Sequence, residues 1–399
     1  MEQMRANVYR LYPTPAQAAA MARIAGACRF VHNLALEQRR DWWRPGRRFS
    51  FGQQARELTA LRRQVDWLRD CPVHALQNAL RDVDRAFQAF FAGRAGYPQF
   101  RSKGGRDSFR ESDPACFTVR RTGRHSGMVR IPKVGWVRFR GWYAIPGELR
   151  SLTVSRRAGV WSAAIQWRRE VVEPAPSSLP PLGLDMGVAV AVATSDGRLI
   201  EGPRAYAAAR KRLAVLQRAV ARKKKGSANR RKAVAKVARL HARIANIRRD
   251  WIHKQTTAIA ESQGVVVVEA LRVRSMSASA RGTVEEPGRN VRAKAGLNRS
   301  ILDGGWFAFR AALAYKLPAR GGHLVAIEPA FTSQTCSACG AVDRASRRAR
   351  AVFACTACGH TDHADVNAAN TILRQGLSSM PVEGRDRAPG EAGTIRRAA

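Results

Sequence analysis

Acidic residues are scarce in this chain. Its 399 residues include 30 Asp and Glu against 70 Lys and Arg, which gives a formal net charge of +40. A folded chain that carries so much charge of one sign repels itself unless a polyanion neutralises it. The imbalance therefore predicts nucleic acid as a partner.

Long apolar runs are also absent. The longest, "VAVAVAT" and "VVVVEAL", fall far short of the roughly 20 residues that a membrane-spanning helix needs. The opening "MEQMRANVYRLYP" lacks the apolar stretch of a secretory signal. We therefore expect no membrane partner and a cytoplasmic bacterial protein that acts at the nucleoid.

Cysteine is sparse, and four of the seven cysteines form one block. Their spacing, C-x2-C-x15-C-x2-C, falls in the range of zinc sites, in which two C-x2-C turns complete a tetrahedron of thiolates. A pair of disulfides is the alternative, which a reducing cytosol disfavours. The predicted zinc ligands are Cys336, Cys339, Cys355 and Cys358. The scattered Cys28, Cys71 and Cys116 are expected to be small buried apolar residues.

The first hundred residues are predicted to be mostly helical. After a short strand, "NVYRLY", a helix should begin where Thr14 can cap it, Pro15 occupies the first position and Gln17 completes a capping box. A second amphipathic helix is indicated by apolar residues at spacings of three and four. These are Leu76, Leu80, Val83, Phe87 and Phe91.

From Phe117 onward, short β-branched or aromatic segments separated by Gly and Pro predict a small β-barrel or sandwich. Many of its polar positions are Arg, and four tryptophans lie among them: Trp136, Trp142, Trp161 and Trp167. Such a mixture suits base stacking and phosphate binding, but tryptophan is equally common in cores. Both interpretations of the four tryptophans stay open.

A Pro/Ser-rich linker, residues 173–181, is the best domain boundary in the sequence. The pattern after it is α/β. The stretch "LGLDMGVAVAVATSDGRLIEG" predicts two strands joined at "SDG". Further strands are predicted at "GVVVVEAL" and "HLVAIEP", with a helix between them and a last helix after the cysteines. This order is that of a ribonuclease H type domain with a zinc insertion.

The run from Arg204 to Arg249 holds 17 Lys and Arg and no Asp or Glu. "KKKGSAN" divides it into two predicted helices. In the second, Val237, Leu240, Ile244, Ile247 and Trp251 form an apolar stripe, which leaves the rest of the surface cationic. Although such a surface is often merely solvated, the absence of acids over so long a run favours phosphate contact.

Three acids occupy unusual places. Asp185 is expected inside an apolar strand, Glu269 ends a run of four valines, and Asp365 starts the last predicted helix. A buried, unpaired carboxylate is costly, so such positions point to a partner cation, although Asp365 could simply cap its helix. Hard oxygen ligands suit Mg²⁺ or Mn²⁺, and two such ions would promote phosphodiester hydrolysis.

These motifs together resemble a known family. "GLDMGVAVAVATSDG", "VVVVEAL", "GLNRSILDGGWFAFRAALAYK", "TSQTCSACG" and "FACTACGHTDHADVNAAN" are similar to the RuvC-type nuclease motifs and zinc ribbon of TnpB and the compact type V CRISPR effectors. The resemblance extends over nearly the whole chain to about residue 375. Many relatives have Asp-Arg-Asp where this chain has His363, Ala364 and Asp365.

The resemblance implies an α+β multidomain fold. Residues 1–12 and 101–175 would form a β-barrel wedge domain, and 13–100 a helical recognition lobe. Residues 181–330 and 360–376 would form the RuvC-like nuclease domain. The zinc ribbon, 331–359, would bind target nucleic acid, and 377–399 would be a disordered tail.

By the same resemblance, Asp185, Glu269 and Asp365 would be the catalytic acids and would hold Mg²⁺ or Mn²⁺, whereas Zn²⁺ would be structural. The protein would be a monomer, and its partners would be guide RNA and double-stranded target DNA. The expected nucleic-acid contacts are Lys223, Lys224, Lys225, Arg230, Arg231, Lys232, Arg299, Arg344, Arg347 and Arg348. The leading hypothesis is an RNA-guided DNA endonuclease that cuts beside a short flanking motif. A guided DNA-binding protein that does not cut, and a guide-independent transposase or resolvase, are the alternatives.

Overall fold

The computed structural model describes residues 2–41, 49–104 and 107–380. The chain divides between Val172 and Glu173 into two compact units. Each unit has its own sheet and its own apolar core. In the described ranges, no helix combines the length and the apolar content required to cross a bilayer.

The helices of the first unit follow the predicted pattern. They are α1 (Pro15–Asp41), α2 (Phe51–Gln64), α3 (Asp66–Arg69) and α4 (Val73–Phe91). The predicted capping box is confirmed, because the Gln17 N–H donates to Thr14 Oγ1 and the Thr14 N–H donates to Gln17 Oε1. In α4 the apolar stripe is buried as far as Phe87, whereas Phe91 is 74% exposed.

The strands of the first unit form one antiparallel sheet of seven strands in the order β2-β6-β7-β1-β5-β4-β3. They are β1 (Glu2–Tyr12), β2 (Asp107–Glu111), β3 (Thr118–Gly123), β4 (Ser126–Ile131), β5 (Gly135–Arg140), β6 (Glu148–Arg157) and β7 (Val160–Glu170). Among the described residues, the edge strands β2 and β3 do not pair with each other. The sheet is therefore open, whereas a closed barrel was expected.

The tryptophans of this sheet divide between the two roles left open by the sequence. Trp161 and Trp167 are buried in the core. Trp136 and Trp142 are only half-buried, and the guanidinium of Arg120 lies 4.4 Å from the ring centroid of Trp136. One pair is thus core, while the other retains surface that could stack on a base.

The second unit contains a five-stranded sheet in the order β10-β9-β8-β11-β12. Its strands are β8 (Pro181–Asp185), β9 (Val192–Thr194), β10 (Leu199–Ile200), β11 (Val265–Glu269) and β12 (His323–Ile327). The central β11 is parallel to both β8 and β12, and β8, β9 and β10 are antiparallel in turn.

The stretch "LGLDMGVAVAVATSDGRLIEG", which was predicted to form two strands, forms three. Its first part breaks after Asp185 into β8 and β9, and residues 186–191 make the bend between them. Gly187 lies in this bend, where an added Cβ would lie 2.7 Å from the carbonyl oxygen of Val190. Asp185 is therefore the last residue of its strand, whereas its apolar flanks predicted a place inside the strand.

The helices of the second unit are α5 (Ala205–Ala221), α6 (Ala228–Ser262), α7 (Val273–Met276), α8 (Val291–Gly304), α9 (Trp306–Lys316) and α10 (Ala364–Ser378). The basic run forms the hairpin of α5 and α6, as predicted. Leu240 and Ile244 are buried against α5, and Val237 is half-buried beside them. Ile247, which the periodicity placed in the same stripe, is 42% exposed.

Helix α10 packs closely on β8 and β11. A Cβ at Gly183 would lie 2.1 Å from the Ala369 carbonyl oxygen, and one at Gly376 would lie 2.2 Å from the Val267 side chain. These glycines allow the helix to approach the sheet. The helix ends at Ser378, so the predicted tail cannot begin at 377, and its residues 381–399 lie outside the described part of the chain.

The four-cysteine block lies between β12 and α10 and includes the short hairpin β13 (Val352–Ala354) and β14 (Thr361–His363). Of the three scattered cysteines, Cys28 and Cys71 are buried, as expected. Cys116 is only half-buried, because it lies in a short 3-10 turn at the start of β3 and outside the core.

Candidate functional site

Two of the three singled-out acids meet at one edge of the second sheet. Asp185 ends β8 and Glu269 ends β11, and these strands are parallel. The register pairs Leu184 with Val268, one residue before each acid. Because the carboxyl ends of neighbouring parallel strands lie at the same edge, the two carboxylates are neighbours although 84 positions separate them in the sequence.

Asp365 reaches the same place from α10. It lies in the first turn of that helix, directly after β14. The Asp365 N–H donates to Nδ1 of His363, 3.3 Å away, so His363 caps the helix. The Asp365 carboxylate does not serve as the cap, which leaves it free for other contacts.

The three acids line one cleft of about 340 Å³. Its other walls include the 187–189 bend, Leu271, Pro329, Thr332, Ser333, Arg347, Arg350 and Ala368. The carboxylate oxygens do not all lie within 4.8 Å of one another, whereas the four cysteine sulfurs do. The acids are therefore grouped but less tightly converged than the thiols.

The cleft disfavours negative charge on its own acids. Burial raises the pKa of Asp185 to about 7, and the carboxylates of Glu269 and Asp365 contribute to the rise, while Arg347 opposes it. Burial also raises the pKa of Glu269. Grouped carboxylates with raised pKa values are the environment in which a bound cation is most stabilising.

Thr332 contacts Glu269 directly. Its hydroxyl donates to Glu269 Oε1 at 2.6 Å, and this hydrogen bond opposes the rise in the pKa of Glu269. Thr332 is 4% exposed. Its role could not be predicted from the sequence, because nothing near a lone threonine after "EPAF" indicates that it faces a carboxylate 63 positions earlier.

Arg347, which was predicted as a nucleic-acid contact, lines the cleft and contacts Asp365. Its Nη2 donates to Asp365 Oδ1 at 3.1 Å and to the carbonyl oxygen of Arg350 at 3.2 Å. The side chain is 30% exposed. One guanidinium of the cysteine block therefore reaches into the cleft.

The four cysteine sulfurs lie within 4.8 Å of one another. Two of their separations, Cys336 to Cys358 and Cys339 to Cys355, are 3.7 Å. Zn–S bonds of about 2.3 Å at tetrahedral angles require sulfurs about 3.8 Å apart. The donor set and its spacing therefore fit a structural zinc ion.

Each C-x2-C turn is closed in the same way. The Gly340 N–H donates to the Cys336 carbonyl oxygen at 3.0 Å, and the Gly359 N–H donates to that of Cys355 at 3.1 Å. Both glycines have positive φ, 82° and 73°, which residues with a Cβ rarely adopt. The repeated "C-x2-C-G" therefore gives both halves of the cluster the same local turn.

Helix α10 holds the first of these turns through its own side chains. Asn367, which is fully buried, accepts from the Ser337 N–H and donates to the Thr335 carbonyl oxygen, both at 2.9 Å. Thr371 and Arg374 donate to carbonyl oxygens of the same turn. The cysteine cluster and the helix that carries Asp365 are therefore directly joined. Asn367 was not among the predicted site residues, although an Asn in an otherwise apolar helix face was a usable signal.

The remaining predicted nucleic-acid contacts lie at the surface. Exposed side chains among them are Lys223, Lys224, Lys225, Arg231, Lys232, Arg299, Arg344 and Arg348, and Arg230 is half-buried. Within the described ranges, one cation of the 204–249 run forms an ion pair with a carboxylate: Arg248 lies 3.6 Å from Asp303. The 204–249 run is accordingly almost uncompensated in charge.

Family models match three parts of the chain. They are described as "Helix-turn-helix domain" over residues 1–48, "Probable transposase" over 164–280 and "Cas12f1-like, TNB domain" over 306–372. The last range includes all four cysteines and Asp365.

Two relatives are similar over most of their length. The chain is 41% identical to the "RNA-guided DNA endonuclease InsQ" of Escherichia coli (strain K12) over 379 residues, which cover 94% of this chain and 93% of InsQ. It is 36% identical to an "RNA-guided DNA endonuclease" of Streptomyces pristinaespiralis, with 94% and 90% covered.

Two solved structures share the fold at low sequence identity. A mini-RNA-guided endonuclease, CRISPR-Cas_phi3, gives a TM-score of 0.54 at 10% identity and covers 96% of this chain and 94% of that one. Cas12f1, in complex with single guide RNA and target DNA, gives 0.51 at 13% identity, with 93% and 99% covered.

This is a mixed α/β protein with a four-cysteine cluster, and the relatives that match most of its length are named as RNA-guided DNA endonucleases. The chain belongs to the family of TnpB and the compact type V CRISPR effectors.

Proposed function

We propose that this protein is an RNA-guided DNA endonuclease that cleaves target DNA beside a short flanking motif. The observation that carries the proposal is the meeting of Asp185, Glu269 and Asp365 in one cleft, at the carboxyl edge of a sheet. The names of the relatives and the family membership support the same activity.

Metal dependence is part of this proposal. Asp185, Glu269 and Asp365 would hold Mg²⁺ or Mn²⁺, because they offer only hard oxygen donors and the cleft raises the pKa of two of them. Such ions, when bound, stabilise the charge that develops during phosphodiester hydrolysis. The sequence analysis predicts two such ions, and that number is part of this proposal.

The chain's own residues position the acids. The Thr332 hydroxyl donates to one oxygen of Glu269 and so restricts the orientation of that carboxylate. Arg347 holds Asp365 and offsets part of the negative charge. Asn367 joins the start of α10 to the cysteine turn, so that the placement of Asp365 depends on the cluster being folded.

The cysteine cluster would bind one structural Zn²⁺, and Arg344, Arg347 and Arg348 would contact nucleic acid beside the cleft. Guide RNA and target DNA would be held by the uncompensated cations of α5 and α6, together with Arg299 in α8. A formal charge of +40 supplies the general attraction to phosphate.

The domain roles implied by the resemblance belong to the same proposal. Residues 1–12 and 101–175 would act as the wedge domain, which binds guide RNA and reads the flanking motif. The helices of 13–100 would act as the recognition lobe. Residues 181–330 and 360–376 would form a RuvC-like domain of the ribonuclease H type, with 331–359 as the inserted zinc ribbon. A cytoplasmic location follows from this activity.

The proposal is tested with the purified chain and the RNA that copurifies with it. Sequencing that RNA identifies the guide, and a plasmid that carries a matching target beside randomised flanks reports cleavage. We expect Mg²⁺-dependent cutting that is lost after ribonuclease treatment and restored by one small RNA. Cutting without any guide would favour a transposase or resolvase, and tight guided binding without cutting in Mg²⁺ or Mn²⁺ would favour a non-cleaving binder.

A further inference from the structure

A second group of metal-binding side chains lies in the first unit, on residues to which the proposed function gives no role. His74, at the start of α4, meets Asp113 and Cys116 of the segment between β2 and β3. One nitrogen, one oxygen and one sulfur, all within 4.8 Å of one another, are thereby brought together. All three side chains are half-buried, so that an ion has access to them.

The distances fit coordination to one ion. Oδ2 of Asp113 lies 3.8 Å from Nε2 of His74 and 3.6 Å from Sγ of Cys116. Around tetrahedral zinc, the usual bond lengths put oxygen about 3.4 Å from nitrogen and about 3.6 Å from sulfur. Both distances from Asp113 are therefore within about 0.4 Å of those in a tetrahedral site, and the nitrogen of His74 lies within 4.8 Å of the sulfur of Cys116.

The group is held in place by contacts outside it. The buried amide of Asn78 donates to the carbonyl oxygens of His74 and Arg110, at 2.8 and 2.9 Å, and to Ser112 Oγ at 3.1 Å. This joins α4 to the segment that leads to Asp113. Asp113 uses Oδ1 to accept from the Ala115 N–H at 2.9 Å, so that its Oδ2 is the oxygen turned to His74 and Cys116.

A neighbouring carboxylate adds a second indication. Glu111 ends β2, two residues before Asp113, and is fully buried. Neither of its oxygens accepts a hydrogen bond from the described part of the chain. A buried carboxylate in such a state requires a nearby positive charge or a proton, and an ion at the adjacent group would supply that charge.

We propose that His74, Asp113 and Cys116 bind a divalent transition-metal ion of the zinc class, with the remaining coordination positions taken by water. The mixed nitrogen, oxygen and sulfur donors suit Zn²⁺ and Co²⁺ and do not suit Mg²⁺, which prefers oxygen alone. Because α4 and the β2–β3 segment each contribute ligands, the ion fastens the helix to the sheet of the first unit.

The test uses the full chain with zinc retained in its four-cysteine cluster, titrated with Co²⁺. We expect one added cobalt per chain, with a thiolate-to-cobalt absorption band, while the zinc content stays constant. The band should disappear in Cys116→Ser, and His74→Ala and Asp113→Asn should lose the added equivalent. Asp113→Asn keeps the turn folded, because Asn also caps such turns well.

Two matched controls remove a thiol or an imidazole elsewhere in the first unit. Cys71→Ser and the exposed His125→Ala should both keep the cobalt band. The proposal is overturned if wild-type protein takes up no cobalt beyond its zinc, if the band persists in Cys116→Ser, or if cobalt appears only as zinc leaves. In those cases the three side chains form only a local hydrogen-bonded group.

Discussion

The side chain of Asn367 accepts a hydrogen bond from the backbone N–H of Ser337 at 2.9 Å, and this contact joins the cysteine cluster to the helix that carries Asp365. Asn367 is two residues from Asp365, and Ser337 directly follows the predicted zinc ligand Cys336. Less than one turn of α10 therefore separates this contact from Asp365 in the cleft.

Replacing Asn367 with Leu should lower both stability and cleavage. The change leaves the partly buried Ser337 N–H without its acceptor, which costs about 1–3 kcal/mol, whereas the Thr335 carbonyl oxygen still accepts from the Thr371 hydroxyl. Chemical denaturation and plasmid cleavage measure the two effects. Asn370→Ala is the matched control, since among the described residues the Asn370 amide donates to its own helix, at the Val366 carbonyl oxygen. Equal losses in both variants would contradict the proposed link.

Each of the acids should be needed for cutting but not for binding. Asp185→Ala, Glu269→Ala and Asp365→Ala are expected to abolish Mg²⁺-dependent cleavage while guided DNA binding survives. A variant that combines two of these changes should lose no more cleavage activity than either single variant, because groups that act as one unit give non-additive losses. Gel shifts with guide and target measure binding, and plasmid nicking measures cleavage. Substantial cutting by any single variant would refute the assignment of that acid.

Arg347 and Arg348 offer a direct comparison of neighbouring arginines. Arg347 contacts Asp365 in the cleft, whereas Arg348 is exposed. Arg347→Ala should reduce the cleavage rate by about 100-fold, as is typical when one charge-stabilising donor is removed from an active site. Arg348→Ala should weaken nucleic-acid binding and leave single-turnover cleavage at saturating complex close to wild type. The reverse order of effects would show that Arg347 acts only as a surface contact.

One zinc ion should copurify in the four-cysteine cluster. Cys336→Ser or Cys355→Ser should lose it and also lower cleavage, because the turn that Asn367 holds is no longer fixed. Elemental analysis of tag-free protein gives the metal content. Thermal unfolding should show a larger effect on the second unit than on the first. Freshly purified protein without zinc would count against this site.

The turn of the basic hairpin provides the clearest electrostatic test. Changing Lys223, Lys224 and Lys225 together to Gln should weaken binding of guide RNA or of the guide–target heteroduplex at low salt. Phosphate contacts release counterions, so the slope of log affinity against log salt should become shallower by up to about 0.9 for each phosphate that is no longer bound. These side chains are exposed, so the melting temperature of the RNA-free protein should barely change.

If the triple variant and the wild type give the same slope of log affinity against log salt for guide RNA, target DNA and heteroduplex, this turn is only solvated. The nucleic-acid channel would then have to be sought on the arginine-rich sheet of the first unit.

The sequence by itself determined the features that depend on neighbouring residues. The capping box at Thr14 and Gln17, the two "C-x2-C-G" turns and the charge of the α5–α6 hairpin were all predictable, because each depends on positions only a few residues apart. Asp185, Glu269 and Asp365 could also be singled out, since each is an acid in an apolar or helix-starting context.

Only the tertiary structure decided how distant residues meet. The parallel pairing of β8 with β11 puts Asp185 beside Glu269, and the close approach of α10 at Gly183 brings Asp365 to them. The contacts of Thr332 with Glu269 and of Arg347 with Asp365, and the open first sheet, also arise from strand pairing and packing. Such contacts depend on the path of the whole chain, which local spacing does not specify.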